Sequence, residues 1–597
     1  MPASDPKPVK AGPDIAAMLD GRARIRPPFD LRRVRLLIIG VALLLLFVHA
    51  MNAVGFTPRA FEGRGAAVLS LWNRMWPPSF VDRSRYVTAV LETVWMVIAG
   101  TSLALIASVP IAVLAARNTT TGRFAYAFSR GVITGTRAVP SLVFALVFVR
   151  AIGIGPLAGV LAMAINSIGM VGKFFSDRIE EVDQGLIEAA RASGASRTQV
   201  FISAILPQVL TNWISLALYR IDINVRSAVI FGYVGAGGIG FELQRVQGQL
   251  VYRRVLAIAL IVFVMVVITE QLSGLARRAV MGRAETAPNP FSLRARYEAA
   301  RRQRFDADTV GAHDARMADE RRRLAEKDRV EMLAGTRRVA VGWDRDRGAR
   351  WSLGGVSLVA ILGSFWLLGF GPLRLVRAIA EIGPFIVRMF PPDFVTNFGR
   401  HLELMAETVW MALAATVLGL LLSLPIGILG ARNATLSPVL ARVSRFLTVV
   451  VRGIPELILA VLLVVAVGLG PFAGVLALTI GSIGLAGKLI ADAIEDTDLT
   501  RQQEALRAVG ASWLQMTFSS TIPSAIPSII GVGLYSFDVY VRAATLLGIV
   551  GAGGIGLALD SSIRGRVLDQ TLAIIILIFV TVYATERLAG WLRSQFL

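Results

Sequence analysis

The sequence predicts an all-α polytopic membrane protein built from two parallel tandem repeats, with about six transmembrane helices in each. Three observations carry that prediction. The chain of 597 residues is 55% hydrophobic and only 17% charged, with a mean hydropathy of +0.63, which excludes a soluble enzyme and a disordered chain. Apolar runs near the ~20 residues that a spanning helix needs recur along its length. The chain also repeats itself. Glu92-Thr-Val-Trp-Met96 returns as Glu407-Thr-Val-Trp-Met411, Ala116-Arg-Asn118 as Ala431-Arg-Asn433, and Gly235-Ala-Gly-Gly-Ile-Gly240 as Gly551-Ala-Gly-Gly-Ile-Gly556.

In chain order the apolar runs of the first half lie near 35–54, 87–114, 124–150, 156–173, 205–230 and 254–274, and those of the second near 353–370, 402–429, 440–465, 471–488, 521–547 and 568–590. The first run follows arginines, as a signal peptide would. Its copy at 353–370 lies mid-chain, where no signal peptidase acts, so both read as permanent anchors. The run at 87–114 is long enough to be a tilted helix or to hold more than one element. Segment 1–36 holds eight basic and four acidic residues, and segment 277–350 nineteen and twelve. An even helix count per half puts both segments on one side, with the basic loops near Arg117–Arg123 and Lys173–Arg197. That side is cytoplasmic by the positive-inside rule, and the halves are then parallel rather than inverted.

The chain therefore divides into a cytoplasmic basic tail (1–34), a first repeat (35–276), a charged cytoplasmic linker (277–350) and a second repeat (351–597). Within the linker, 294–334 favours helix; it serves as a tether, or as a surface for anionic lipid or a cytosolic partner. The net charge of +21 is thus a signal of membrane orientation and not of nucleic acid. With no Cys, disulfides and thiolate chemistry are excluded. Three scattered His (His49, His313, His401) argue against a His-based metal cluster.

Two motifs imitate nucleotide sites. Gly235–Gly240 and its copy fit G-x-G-x-x-G, but they lie between membrane helices and not in a soluble βαβ unit. They read better as a break where the backbone re-enters or packs closely, so Gly235, Gly237, Gly238, Gly551, Gly553 and Gly554 are candidates to line or gate the outer half of a pathway. The stretch from Ser167 to Phe174 resembles a P-loop without its first Gly and without the Mg²⁺-holding hydroxyl after Lys173, and the copy from Ser482 to Leu489 fails in the same two places. The chain therefore holds no nucleotide cofactor and is itself no enzyme. Uphill transport would draw on an ion gradient or on another subunit.

The cytoplasmic loop before the fifth helix reads Glu188-Ala-Ala-Arg-Ala-Ser-Gly194, and its copy Glu504-Ala-Leu-Arg-Ala-Val-Gly510. Ala and Arg favour a short helix with one low face, and Gly194 and Gly510 can end it with a positive φ. Two copies at equivalent places point to a docking element, with Glu188, Ala189, Arg191 and Gly194, and Glu504, Ala505, Arg507 and Gly510, as its residues.

This loop resembles the Glu-Ala-Ala loop of ATP-binding cassette (ABC) importer permeases, with mild departures at Ala204, Ser520, Leu506 and Ile522. Arg137-Ala-Val-Pro140, Gly153-Ile-Gly-Pro156, Ser167-Ile-Gly-Met-Val-Gly-Lys173 and Asp222-Ile-Asn-Val-Arg226 are similar to the phosphonate, phosphite and phosphate permease branch. The Gly-rich stretch is shared with methionine-type permeases. The resemblance implies two type I importer permeases with the methionine-permease-like (MetI-like) fold, fused in one chain. It implies as partners two ATP-binding cassette ATPase subunits, which bring ATP and Mg²⁺, and one extracytoplasmic substrate-binding protein. It places the chain in a bacterial plasma membrane with both termini cytoplasmic. The alternatives are an ion-coupled secondary transporter, or a permease for another small substrate such as methionine.

Intramembrane charges are costly and mark function by default. Asp222 and Arg226 share a helix face, as do Asp538 and Arg542; Arg220 and Asn224 lie on the same first-half helix, and Ser536 stands where the first half has Arg220. Arg452 has Glu456 one helical turn on, whereas Arg137 has Ser141 there. The Arg137 charge then needs a carboxylate on a neighbouring helix, or a passing anion.

Overall fold

The computed structural model describes residues 31–281 and 345–596, apart from 58, 59, 61, 63 and 498. The tail 1–30 and the linker stretch 294–334 lie outside the described residues. Among the described residues the regular structure is helical, with no strand. The first half runs α1 (Leu31–Ala53), α2 (Arg64–Met75), α3 (Arg83–Ala115), α4 (Arg123–Ala138), α5 (Ser141–Ile152), α6 (Pro156–Glu180), α7 (Gln184–Ala192), α8 (Leu206–Phe231), α9 (Gly238–Gly248) and α10 (Tyr252–Met281). The second half repeats the series as α11 (Arg345–Leu367), α12 (Pro372–Val387), α13 (Phe398–Gly430), α14 (Pro438–Gly453), α15 (Glu456–Val467), α16 (Pro471–Glu495), α17 (Thr500–Ala508), α18 (Ile522–Ile549), α19 (Ile555–Arg564) and α20 (Leu568–Phe596).

Among the described residues, eight helices are long and apolar enough to cross a membrane, or up to ten spans if each bent pair is one. The six runs of each half thus become four straight spans, one bent pair and one shorter apolar stretch (Gly40–Ala53 or Gly354–Leu367). The long run at 87–114 is one helix. At 33 residues, α3 is about 50 Å long and can cross a ~30 Å hydrocarbon layer on a tilt. The run at 124–150 is instead broken. Its two pieces meet at 91°, and their copies α14 and α15 at 81°. Pro140 and Pro455 cause the break: each pushes the residue before it, Val139 or Ile454, into extended backbone (ψ 123° and 116°).

Each half packs α3 or α13 along α6 or α16 as its central pair. The halves also exchange their outer helices, α1 lying on α13 and α11 on α3. His49 meets the Trp410 ring edge-on at 4.8 Å, and Phe56 stacks on Phe472 at 5.0 Å. One continuous apolar core therefore runs through both repeats.

The short helices α9 and α19 begin inside the protein, where their first N–H groups have no helical acceptor. The repeated Glu-Thr pair of α3 and α13 supplies one. Thr93 Oγ1 accepts from the Ile239 N–H at 2.9 Å, and Thr408 Oγ1 from the Ile555 N–H at 2.9 Å. Glu407 Oε1 accepts from the Gly554 N–H at 2.9 Å, and Glu92 takes the matching Gly238 N–H. Gly237 is at φ +85°, and a Cβ there would lie 2.6 Å from Glu92 Oε1, so only glycine fits the turn. Further on, a Cβ at Gly240 would strike the Val229 carbonyl, and one at Gly556 the Thr545 carbonyl.

Replacing Gly240 or Gly556 by Ala is therefore expected to cost about 1–3 kcal/mol or more from overpacking. It should lower the melting temperature of the purified protein. Gly248→Ala is the control, since nothing lies within 4 Å of a Cβ there. Equal melting temperatures for all three variants would refute the crossing as a packing constraint.

Candidate translocation site and coupling surface

The two loops expected to be docking elements become α7 and α17, each a nine-residue helix. Gly194 (φ +82°) and Gly510 (φ +78°) end them in the left-handed region, as the sequence reading anticipated. The Ala195 N–H closes on the Ala190 carbonyl at 3.2 Å, and the Ala511 N–H on the Leu506 carbonyl at 3.0 Å, a Schellman closure that satisfies the last carbonyls. Ile187 alone among the α7 residues is fully buried, while Glu188, Ala189, Arg191 and Gly194 are exposed. Glu504, Ala505, Arg507 and Gly510 are exposed in the same way. The low, Ala-bearing face is therefore open on each copy.

Beneath each loop lies a clasp that the sequence reading missed. Arg130 Nε donates to the Ala115 carbonyl (2.9 Å) and its Nη2 to Glu180 Oε1 (2.9 Å), which also accepts from the Arg117 N–H (2.9 Å). Asn118 Nδ2 donates to the Ile179 carbonyl at 2.6 Å. The second half repeats every bond: Arg445 binds the Gly430 carbonyl and Glu495, the Arg432 N–H reaches Glu495 at 2.7 Å, and Asn433 reaches the Ile494 carbonyl at 2.8 Å. This explains the repeated Ala-Arg-Asn. It pins the end of α3 or α13 to the end of α6 or α16, at the root of the loop that carries α7 or α17. The available signal was the conservation of Arg130/Arg445 and Glu180/Glu495 between the two copies. Lys173, at the false P-loop, pairs with Asp177 at 2.5 Å.

The intramembrane charges fall into two groups. Arg452 Nη2 donates to Glu270 Oε1 at 2.8 Å and lies 3.9 Å from Asp222 Oδ2; Arg226 lies 3.3 Å from Asp222 and 3.7 Å from Glu270. In the matching place Arg137 Nη2 donates to Glu586 Oε1 at 2.6 Å, and Arg542 pairs with Asp538. Each bent helix pair thus hands its arginine to the last helix of the other half. The structure decides between the two alternatives for Arg137 and corrects the pairing of Arg452. Arg137 has a carboxylate after all, 449 positions away. Arg452 pairs with Glu270 and not with Glu456, because the Pro455 break lies between 452 and 456 and abolishes the one-turn relation. Glu456 instead lies over Gly481, where a Cβ would be 3.3 Å from its Cγ.

Arg220 and Asn224 turn the other way, into their own half. Arg220 is 4% exposed; its Nε donates to Ser167 Oγ at 2.9 Å and its Nη1 contacts Met170 Sδ at 3.1 Å, while Nη2 has no partner among the described residues. Asn224 Nδ2 donates to Thr101 Oγ1 at 2.9 Å. In the second half Ser536 and Tyr540 stand in these places, and the hydroxyls of Ser482, Ser536 and Tyr540 are buried there. Of the Gly-rich candidates, Gly237 and Gly553 sit against Glu92 and Glu407, Gly238 and Gly554 against Thr93 and Thr408, and Gly235 and Gly551 against Ile154 and Leu469, with Gly235, Gly238, Gly553 and Gly554 buried.

A family model described as the binding-protein-dependent transport system inner membrane component matches twice, over residues 108–281 and 423–596. The chain is 41% identical to the phosphate-import permease protein PhnE of Mycolicibacterium smegmatis, over 91% of this chain and 92% of that one. It is 40% identical to the phosphite transport system permease protein PtxC of Stutzerimonas stutzeri, over 36% of this chain and 77% of that one. A solved inward-facing MetNI methionine ABC transporter aligns at 23% identity over 33% of this chain and 96% of that chain, with a TM-score of 0.31.

The ion pairs generate a test. Glu586→Gln should impair transport, and the reversal Arg137→Glu with Glu586→Arg should restore part of it, with a coupling of about 0.5–3 kcal/mol in a double-mutant cycle on stability. Arg452→Gln should cost at least as much as Arg137→Gln, since Arg452 faces two carboxylates. Additive effects in the cycle would mean that the pair does not act as one.

Proposed function

Because the chain belongs to the binding-protein-dependent transport inner membrane component family, with two copies of its domain in one polypeptide, we propose that it is the complete membrane pathway of an ATP-driven importer for phosphorus oxyanions. That it is an ABC importer permease and an integral membrane protein follows from the family and its relatives. The cargo class is inferred from the extent of likeness to a phosphate-import permease and includes phosphonate, phosphite and phosphate. The methionine and ion-coupled readings give way to it.

The observation that supports coupling is the pair of exposed, Schellman-closed helices α7 and α17, each rooted on an identical arginine–glutamate clasp. Two matching surfaces suit two ATPase subunits, one per half, and ATP and Mg²⁺ would be held there and not in this chain. One binding protein would deliver cargo to the opposite face. In this reading the tail 1–34, the linker 277–350 and both termini are cytoplasmic, in a bacterial plasma membrane, and the repeats occupy 35–276 and 351–597. Arg137, Arg226, Arg452 and Arg542, with Asp222 and Asp538, line the contact that must rearrange when cargo passes.

Gly194→Val with Gly510→Val should leave the chain in the membrane but lower substrate-stimulated ATPase activity of the reconstituted complex at least ~10-fold, since a β-branched residue resists positive φ. Gly194→Asn with Gly510→Asn should retain most activity, because Asn tolerates that region. Full activity in the valine variant would sink the coupling assignment.

A further inference from the structure

At the end of the bent pair opposite the docking loops, a cavity of about 810 Å³ opens between α5 of the first half and α12 and the α19–α20 turn of the second. Four guanidinium groups line it, those of Arg150, Arg377, Arg388 and Arg566, against one carboxylate, Glu381. All five residues are exposed. None of their side chains makes an ion pair or hydrogen bond among the described residues, whereas most intramembrane arginines here are paired.

The equivalent corner of the other half has apolar residues at two of the arginine positions. Val465 stands in the place of Arg150, and Leu250 in that of Arg566. Leu250 and Arg566 share the same unusual backbone, φ +57° and +58°, so the turn is unchanged and only the side chain differs. Leu71, Met75 and Leu256 form a buried cluster there, with Tyr252, Leu462 and Val465 packed against it. The basic cavity is thus a property of one corner and lies off the axis that relates the halves.

The geometry points to an asymmetric binding site for a phosphoryl group at this corner. Guanidinium forks match phosphoryl oxygens two at a time, and arginines that border one cavity without ion-pair partners among the described residues keep that capacity free. A site of 300–1,000 Å³ suits a small ligand. The phosphoryl group has two possible sources. One is the oxyanion cargo, held near the entrance. The other is a phospholipid headgroup, because the rest of α12 exposes Leu373, Val376, Ile379 and Val387, as a helix lying in the membrane interface does. Placing the site on the extracytoplasmic face rests on the proposed function; the binding chemistry does not.

The test uses the purified full chain in nanodiscs, without ATPase or binding protein. One arm measures binding of labelled inorganic phosphate by equilibrium dialysis in uncharged phosphatidylcholine. The other measures retained phosphatidylglycerol by native mass spectrometry in a mixed bilayer. At least one ligand should bind, and Arg150→Gln with Arg566→Gln should weaken it at least ~10-fold. Glu381→Gln should tighten the same ligand, which keeps the test decisive if the double variant fails to insert. Phosphate binding identifies the cargo as the source, and phosphatidylglycerol alone identifies lipid. The proposal is overturned if neither ligand binds, or if binding is unchanged in both variants. Because no ATPase is present, loss of nucleotide coupling would leave these results untouched, so the two readings fail separately.

Discussion

A helix that begins within a membrane protein leaves amide N–H groups that water cannot reach, and each costs several kcal/mol if left without an acceptor. The Glu92-Thr93 and Glu407-Thr408 pairs meet that constraint for α9 and α19. Much of the arrangement depends on it. The clamp fixes where α8 and α18 turn back, and the turn demands glycine against the carboxylate. The same long helices, α3 and α13, carry α6 and α16 along their length and receive the outer helix of the opposite half. A carboxylate in this position is therefore structural, although intramembrane carboxylates invite a functional reading.

The two halves keep this frame and differ in what they put on it. Arg220 and Asn224 fill the first half with a bonded polar network, and Ser536 and Tyr540 replace them. Glu456 over Gly481 stands where the first half has Ser141 and Asn166. Arg150 and Arg566 line a basic cavity, whereas Val465, packed in an apolar cluster, and Leu250 stand in their places in the other half. A symmetric pair of identical chains must carry every such change twice. Fusion removes that coupling, so one side of a pathway can change its charge while the other keeps its packing.

The repeat and its spans were legible because identity at a fixed offset and apolar length are local properties. Positive φ at Gly194 and Gly510 was legible for the same reason: a short helix with Gly after it has few ways to end. The bent pair was hidden inside one apolar run, although Pro140 and Pro455 marked it. Overlooking that break led directly to the mistaken pairing of Arg452 with Glu456, since the one-turn rule holds only in a continuous helix. The partner of Arg137 was not legible at all. A contact spanning 449 positions is set by how the halves dock, and spacing within a single segment carries no trace of it.

The exchange of outer helices has a consequence for biogenesis. During synthesis α1 emerges and enters the bilayer long before α13, the surface that covers it. The face carrying His49 and Phe56 must wait in lipid while several hundred further residues are made. The first half therefore cannot reach its final packing as an independent unit, and its anchor matures only when the second half arrives to embrace it. The linker between them, whatever else it does, keeps that late partner at high local concentration.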